Sequence, residues 1–171
     1  MPTRRRFLLT GTAVAAAAFG LSGRLRALAA GSAPQTTSQE HFDVVHSDDE
    51  WRRLLGPAQF DVLRREGTER PYTSPLNDEH RAGTFVCAGC KLAVFSSRTK
   101  FDSHTGWPSF WAPLDHAVAT RADGSFGVLR TEVHCSRCGG HLGHVFDDGP
   151  KPTGLRYCMN GVAMNFTPGA A

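Results

Sequence analysis

The sequence predicts an antiparallel, mainly β domain with short helices at its N-terminal side. From residue 83 onward, short apolar or alternating runs recur, separated by glycine, proline and Asp-Gly pairs such as Asp123-Gly124. This spacing is typical of short antiparallel strands joined by turns. Residues 47–67 instead carry helix-start signals and apolar residues at helical spacing.

Two helices are predicted ahead of the strands. Ser47 and Glu50, three residues apart, form a capping box, so a short helix begins there. Pro57 then opens a second helix, in which Phe60 and Leu63 share one face.

Eight strands are predicted after the helices. Each is a short run with the apolar or alternating pattern that a strand requires. The runs span residues 84–87, 92–95, 107–111, 117–121, 127–132, 144–146, 155–160 and 163–166.

Residues 1–29 resemble a twin-arginine export signal. Arginines at positions 4–6 precede an alanine-rich apolar stretch, and residues 27–29 read Ala-Leu-Ala, a cleavage-site pattern. A retained membrane helix is the alternative, but Arg24 and Arg26 interrupt a run that falls short of the roughly 20 apolar residues of a span. We expect an exported protein, periplasmic or otherwise extracytoplasmic.

Cleavage of the signal would leave one domain. Residues 30–46 are mostly small and polar and predict a linker, and residues 47–169 form the domain. The signal holds five arginines and no acid, so its removal takes the formal net charge from +3 to −2. The chain therefore gives no electrostatic case for a nucleic-acid or membrane partner.

Four of the five cysteines form two C-x-x-C pairs, the spacing of a tetrahedral structural zinc site. Two disulfides, or a redox-active C-x-x-C, are the alternatives, but neither pair lies in the βαβ setting of the latter. Iron could replace zinc. A four-sulfur site leaves no open position for catalysis. Zinc loaded in the reducing cytosol fits an export route that carries folded proteins. The expected ligands are Cys87, Cys90, Cys135 and Cys138.

The fifth cysteine, Cys158, has no partner in the chain. In a strand, alternation places Arg156, Cys158 and Asn160 on one face. The guanidinium would lower the pKa of the thiol, as a nucleophile requires, and the amide could donate to a substrate oxygen. A buried structural cysteine is the alternative.

Two further stretches carry candidate functional groups. His141 and His144 flank a glycine and could act as proton donor and acceptor, although either could be a surface or metal-adjacent residue. Trp107 lies in a proline-containing turn and could form an aromatic wall for a sulfur-bearing methyl group, with core packing as the alternative.

Taken together, these motifs resemble the methionine sulfoxide reductase B family. The resemblance covers about residues 47–167 and implies two antiparallel sheets in a tent-like arrangement with one structural zinc. It rests on C-x-x-C at 87–90, GWPSF at 106–110, C-x-x-C with GGHLGHVFDDGP at 135–150, and RYCMN at 156–160.

The resemblance also implies roles. Cys158 would attack the sulfur of a methionine-R-sulfoxide residue in an oxidised protein and become a sulfenic acid. His141, His144 and Asn160 would hold and protonate the sulfoxide oxygen, and Trp107 would cover the substrate methyl group. Arg156 would sustain the thiolate.

One position departs from the family pattern. Many relatives carry a resolving cysteine just before GWPSF, whereas this chain has Thr105 there. A threonine hydroxyl does not attack a sulfenic acid at neutral pH. We therefore predict a monomeric one-cysteine enzyme recycled by an external thiol reductant, such as a thioredoxin-like protein.

Two other functions fit parts of the sequence. A zinc-stapled binding module without catalysis would leave the polar face around Cys158 unexplained. A thiol peroxidase or disulfide oxidoreductase built on Cys158 would leave Trp107 and the histidine pair unexplained.

Overall fold

A computed structural model describes residues 40–170 of the chain. It confirms a mainly β fold with two antiparallel sheets and two short α-helices at the N-terminal side. The predicted signal at residues 1–29 and most of the predicted linker lie outside the described residues. Within residues 40–170, no helix combines the length and the apolar character needed to cross a membrane.

The helices begin where their capping residues predict. Helix α1 spans Asp48–Leu54, and its capping box is complete: Ser47 N donates to Glu50 Oε2 over 2.8 Å, and Glu50 N donates back to Ser47 Oγ over 3.4 Å. Helix α2 spans Pro57–Arg65 and buries Phe60 and Leu63, as the helical spacing predicts.

The smaller sheet has three strands in the order β2-β1-β9. All its pairings are antiparallel, with β1 in the centre. The strands are β1 (Gly83–Cys87), β2 (Ala93–Ser96) and β9 (Met164–Pro168).

The larger sheet has six strands in the order β3-β4-β8-β7-β6-β5, and its centre carries the candidate site. Its strands are β3 (Lys100–Phe101), β4 (Ser109–Phe110), β5 (Val118–Asp123), β6 (Arg130–Cys135), β7 (His141–Phe146) and β8 (Arg156–Met159).

Every predicted strand overlaps an observed one, but several bounds differ, as at β7, which begins three residues before the predicted run, and one short strand was missed. Strand β3 was not predicted, because two residues are too few to show a periodic pattern. Strand β6 begins three residues later than predicted, because Ser125–Gly127 form a 3₁₀ turn between β5 and β6.

An aromatic cluster joins the two sheets. The Phe110 ring from the larger sheet stacks on Phe95 at 4.4 Å and meets the edge of Phe85 at 4.9 Å, both from the smaller sheet. All three rings are fully buried. Their burial stabilises the domain by about 2–3 kcal/mol per side chain and fixes β4, the strand beside Cys158.

Candidate active site

The sheet register places a row of polar side chains on one face of the larger sheet. Ser109 in β4 pairs with Cys158 in β8, Cys158 pairs with His144 in β7, and His144 pairs with Glu132 in β6. Directly paired residues of antiparallel strands point to the same face. The lone cysteine and one predicted histidine are therefore neighbours across two central strands.

A β-bulge brings the second histidine to the same face. His141 pairs with His134 and Gly143 pairs with Val133, so one extra residue of β7 lies between them. Regular alternation would put residues three apart on opposite faces. Because of the bulge, the rings of His141 and His144 lie 5.3 Å apart between centroids.

Gly143 allows this crowded arrangement. A Cβ at this position would lie 2.1 Å from the Cys158 carbonyl oxygen and 2.9 Å from Met159 Cα. Only a residue without a side chain lets β8 approach the bulge so closely.

A cavity of about 120 Å³ opens beside Cys158. Four of the six predicted catalytic residues line it, whereas His141 contacts the lining residue His144 and Arg156 contacts Phe146. The lining residues are Thr68, Trp107, Arg130, Gly143, His144, Phe146, Cys158 and Asn160.

A larger cavity, of about 650 Å³, lies against α2 and β9 and shares only Thr68 with the smaller one. Its lining contains no cysteine or histidine. It therefore lacks the groups for thiol or imidazole chemistry, and we assign the candidate active site to the smaller cavity.

The surroundings of the Cys158 thiol act in opposite directions on its pKa. Burial raises the pKa and outweighs the hydrogen bond from Thr105 and the charge of Arg156, which lower it. The expected lowering by Arg156 is therefore present, but the expected net lowering was wrong. Sequence alone did not show that the thiol is largely desolvated.

Arg156 is also tied to a partner. Its Nε and Nη2 donate to the two oxygens of Asp148, each over 2.8 Å, and its guanidinium lies 4.4 Å from the centre of the Phe146 ring. This pairing offsets part of the positive charge that reaches Cys158.

His141 has a fixed tautomer. Its Nδ1 lies 2.7 Å from Glu132 Oε1. Burial favours a protonated Glu132, but the neighbouring His134 ring, the His141 hydrogen bond and the Arg121 guanidinium outweigh it and hold the pKa of the carboxyl far below its usual range. An ionised carboxylate only accepts, so His141 Nδ1 donates. Its Nε2 is buried and has no hydrogen-bond partner among residues 40–170.

His144 is oriented by a different carboxylate. Its Nε2 lies 2.7 Å from Asp123 Oδ2. Hydrogen bonds from Ser125, and then from His144, hold the pKa of Asp123 well below its usual range, so Nε2 is the donor. Burial lowers the pKa of His144, which favours a neutral ring at neutral pH. The site therefore holds two imidazoles, each oriented by its own carboxylate.

Glu69 holds two further predicted residues in place. The backbone N–H of Glu69 donates to Asn160 Oδ1 over 3.0 Å, and Trp107 Nε1 donates to the Glu69 carbonyl over 3.1 Å. The Asn160 amide also donates to the Leu142 carbonyl over 3.2 Å. One amide N–H of Asn160 remains for a ligand.

The Glu69 side chain also helps to hold the segment that follows Asn160. It accepts hydrogen bonds from the backbone N–H groups of Gly161 and Val162, the latter over 3.0 Å. Sequence reasoning missed Glu69, Glu132 and Asp123, since none of them belongs to a motif that indicates its partner.

Thr105 lies beside the cysteine. Its Oγ1 is 3.8 Å from Cys158 Sγ. The other four cysteines lie together elsewhere, so no second thiol of the chain stands beside Cys158.

The four cysteines of the two C-x-x-C pairs converge as predicted. Their Sγ atoms all lie within 4.8 Å of one another, with 3.8 Å between Cys87 and Cys138 and 3.5 Å between Cys90 and Cys135. Four thiolates around a zinc with Zn–S bonds of about 2.3 Å lie about 3.8 Å apart. The cluster therefore fits a tetrahedral metal ion.

The two turns that carry the cluster have the same backbone geometry. Cys87 N donates to Leu92 O over 2.8 Å, and Cys135 N donates to Gly140 O over 2.9 Å. Gly139 takes a left-handed φ of 66°, and a Cβ there would lie 2.5 Å from the Phe42 ring. A glycine is thus required where the second turn closes.

Comparisons with known proteins match most of the described part of the chain. A family model described as the SelR domain matches residues 55–168. The chain is similar to proteins named peptide methionine sulfoxide reductase MsrB. The one from Pseudomonas putida (strain W619) is 56% identical over 121 residues, covering 70% of this chain and 91% of that protein. Those from Bradyrhizobium diazoefficiens and Leptospira interrogans are 53% and 50% identical, covering 73% and 74% of this chain and 91% and 97% of theirs.

Proposed function

Since the chain belongs to the SelR-domain family of methionine sulfoxide reductases and is a peptide-methionine (R)-S-oxide reductase, we propose that Cys158 is its nucleophile. One observation carries this proposal. Cys158 is the cysteine outside the four-sulfur cluster, and the sheet register sets it directly beside His144 at a cavity lined by Trp107.

The proposed reaction moves one oxygen from sulfur to sulfur. The Cys158 thiolate forms a bond to the sulfoxide sulfur while the sulfoxide oxygen takes up a proton. The oxygen then passes to the Cys158 sulfur as methionine leaves, so that Cys158 becomes a sulfenic acid. The methionine is reduced by two electrons and the cysteine is oxidised by two.

The polar groups around the cavity assist this step. An imidazole held by a carboxylate on one nitrogen can relay a proton to the sulfoxide oxygen through its second nitrogen, directly or through water, as His141 and His144 would do. The remaining Asn160 N–H would donate to the same oxygen. Trp107 would cover the substrate methyl group, because ring faces attract methyl and sulfur groups. Together these contacts would select the R configuration.

The second half of the cycle requires an outside reductant. With Thr105 beside Cys158, the chain has no thiol within reach to resolve the sulfenic acid. An external dithiol, such as a thioredoxin-like protein, would form a mixed disulfide with Cys158 and release water. Its second thiol would then restore Cys158 and leave the donor as a disulfide.

We propose zinc as the metal in the four-cysteine cluster and a structural role for it. Four thiolates form a closed coordination shell with no position for substrate, and the Sγ separations fit zinc. Metal analysis of the purified protein distinguishes zinc from iron.

We also propose that the protein acts as a monomer.

The activity is tested on a peptide with one methionine sulfoxide, supplied as the R and the S diastereomer, with dithiothreitol as reductant. We expect loss of the R form and retention of the S form, because only one configuration presents its oxygen to the histidines while its methyl group faces Trp107. Chromatography of the two diastereomers measures both. Loss of the S form alone would contradict the proposal.

Export is a separate proposal. The arginines at positions 4–6, the apolar stretch and the Ala-Leu-Ala sequence support a twin-arginine signal in residues 1–29. Lysines at positions 4–6 would keep the charge but remove the arginine pair. We expect this variant to stay in the cytosolic fraction, and unchanged export would contradict the proposal.

A further inference from the structure

A chain of hydroxyl groups ends at the sulfur of Cys158. Thr105 Oγ1 lies 3.8 Å from Cys158 Sγ and 2.8 Å from Ser103 Oγ. Ser103 Oγ lies 2.7 Å from Ser109 Oγ, and Ser109 donates to the carbonyl of Trp107 over 3.2 Å. Three hydroxyls thus link the thiol to a backbone acceptor.

The number of hydrogens sets the direction of this chain. With a neutral thiol, Cys158 can donate to Thr105, Thr105 to Ser103, Ser103 to Ser109, and Ser109 to the carbonyl of Trp107. Four hydrogens then serve four contacts, and every group is satisfied. This direction leaves the sulfur a donor and Thr105 its acceptor.

Loss of the thiol proton leaves one hydrogen fewer than there are contacts. Three hydroxyl hydrogens remain, and a thiolate only accepts, so Thr105 must turn its hydrogen toward the sulfur. Ser103 can donate to Thr105 in its place. Ser109, which lies opposite Cys158 in the register and is fully buried, can then donate to Ser103 or keep its bond to the carbonyl of Trp107. The direction of the hydrogen bonds can therefore reverse, and the thiolate keeps a hydrogen-bond donor.

We propose that Thr105, oriented by Ser103 and Ser109, is a positioning residue that donates a hydrogen bond to the Cys158 thiolate and so sustains the nucleophile. The residue at the place of the resolving cysteine then has a role in the first half of the cycle. This inference rests on the proposed nucleophilic role of Cys158.

The charges near Cys158 favour this role over one for Arg156 alone. The guanidinium is held by both oxygens of Asp148, which offsets its charge. The Thr105 hydrogen bond is the largest single influence that lowers the pKa of the buried thiol, and Arg156 lowers it through both its charge and a hydrogen bond. Hydrogen bonds to a charged group are stronger than those between neutral groups.

The test measures the pH dependence of alkylation of Cys158 by iodoacetamide, read by mass spectrometry of the peptide that contains Cys158. In Thr105→Val the shape is kept and the hydroxyl is lost. We expect the alkylation rate at neutral pH to fall about tenfold, with the same plateau rate at alkaline pH, because only the thiolate fraction changes.

Thr105→Ser is the matched control, because it keeps the hydroxyl and should keep the pH profile within about twofold. Thermal unfolding checks that both variants are folded. If Thr105→Val does not fold, Ser103→Ala removes the partner of Thr105, and we expect a smaller shift in the same direction. A folded Thr105→Val, or failing that a folded Ser103→Ala, with the wild-type profile would overturn the proposal.

Alkylation requires no sulfoxide, so this test is separate from the proposed function. If Thr105→Val shifts the pH profile but the wild-type protein does not reduce methionine sulfoxide, the proposed function is wrong and the proposed hydrogen bond stands. If a Thr105→Val variant keeps the wild-type pH profile but reduces methionine sulfoxide poorly, the proposed hydrogen bond is wrong and the proposed function stands. Thr105 would then act only on substrate binding or on packing.

Discussion

Replacement of Cys158 with serine is expected to lower the reduction of methionine-R-sulfoxide by a factor on the order of 10⁴ or more, because the nucleophile is lost. The serine hydroxyl would be half-buried beside Thr105 and, with its far higher intrinsic pKa than a thiol, would stay protonated at neutral pH. The measurement is the initial rate on a peptide containing the R sulfoxide, with excess dithiothreitol.

Two controls show that the effect is chemical. The thermal unfolding midpoint and the metal content of Cys158→Ser should match the wild type, since the side chains are similar in size and Cys158 is outside the metal cluster. A dimedone-type probe should label the wild type once, at Cys158, after one turnover without reductant, and should not label the variant. Undiminished reduction by the variant, or a label elsewhere, would contradict the assignment of Cys158.

Cys158 and the four-cysteine cluster could both be predicted from the sequence, because both predictions follow from the number and spacing of the cysteines. Two C-x-x-C pairs left one thiol over, and the structure brings the four paired sulfurs together and Cys158 to a cavity elsewhere. The sheets were predictable for a similar reason. Alternation and turn residues are local signals, and all eight predicted runs overlap observed strands.

The geometry around the two histidines could not be predicted in this way. Alternation alone would separate His141 from His144, and the bulge that unites them depends on the pairing of β7 with β6 and on contact between Gly143 and β8. Their carboxylate partners, Glu132 and Asp123, lie on other strands. Such contacts are set by register between strands, which a single sequence does not encode locally.

The electrostatics of Cys158 also required the structure. Arg156 lies two residues away in the sequence, so its influence could be inferred, but the salt bridge to Asp148 and the burial of the thiol could not. Thr105 was identified in the sequence as a missing cysteine. In the fold it has hydrogen-bond partners of its own, Ser103 and Cys158, and this gives it a chemical role.

Removal of the zinc proposed for the four-cysteine cluster is expected to unfold the domain. A structural zinc site contributes roughly 10–16 kcal/mol, which matches or exceeds the 5–15 kcal/mol stability of an ordinary domain. The cluster joins the turn between β1 and β2 to the turn between β6 and β7, so it connects the two sheets. Cys135→Ser removes one ligand without adding bulk, and we expect it to lose its cooperative thermal transition near the wild-type temperature.

The position of the cluster predicts how activity fails when the metal is withdrawn. Strands β6 and β7 run directly from the second metal turn to Glu132, His141 and His144, so loss of the turn releases the residues that orient the proton donors. During titration with a chelator, activity and near-ultraviolet circular dichroism should therefore fall together. Cys158→Ser is the reciprocal control, with metal and fold kept and activity lost. A metal-free protein that is folded and inactive would show instead that the metal takes part in the reaction.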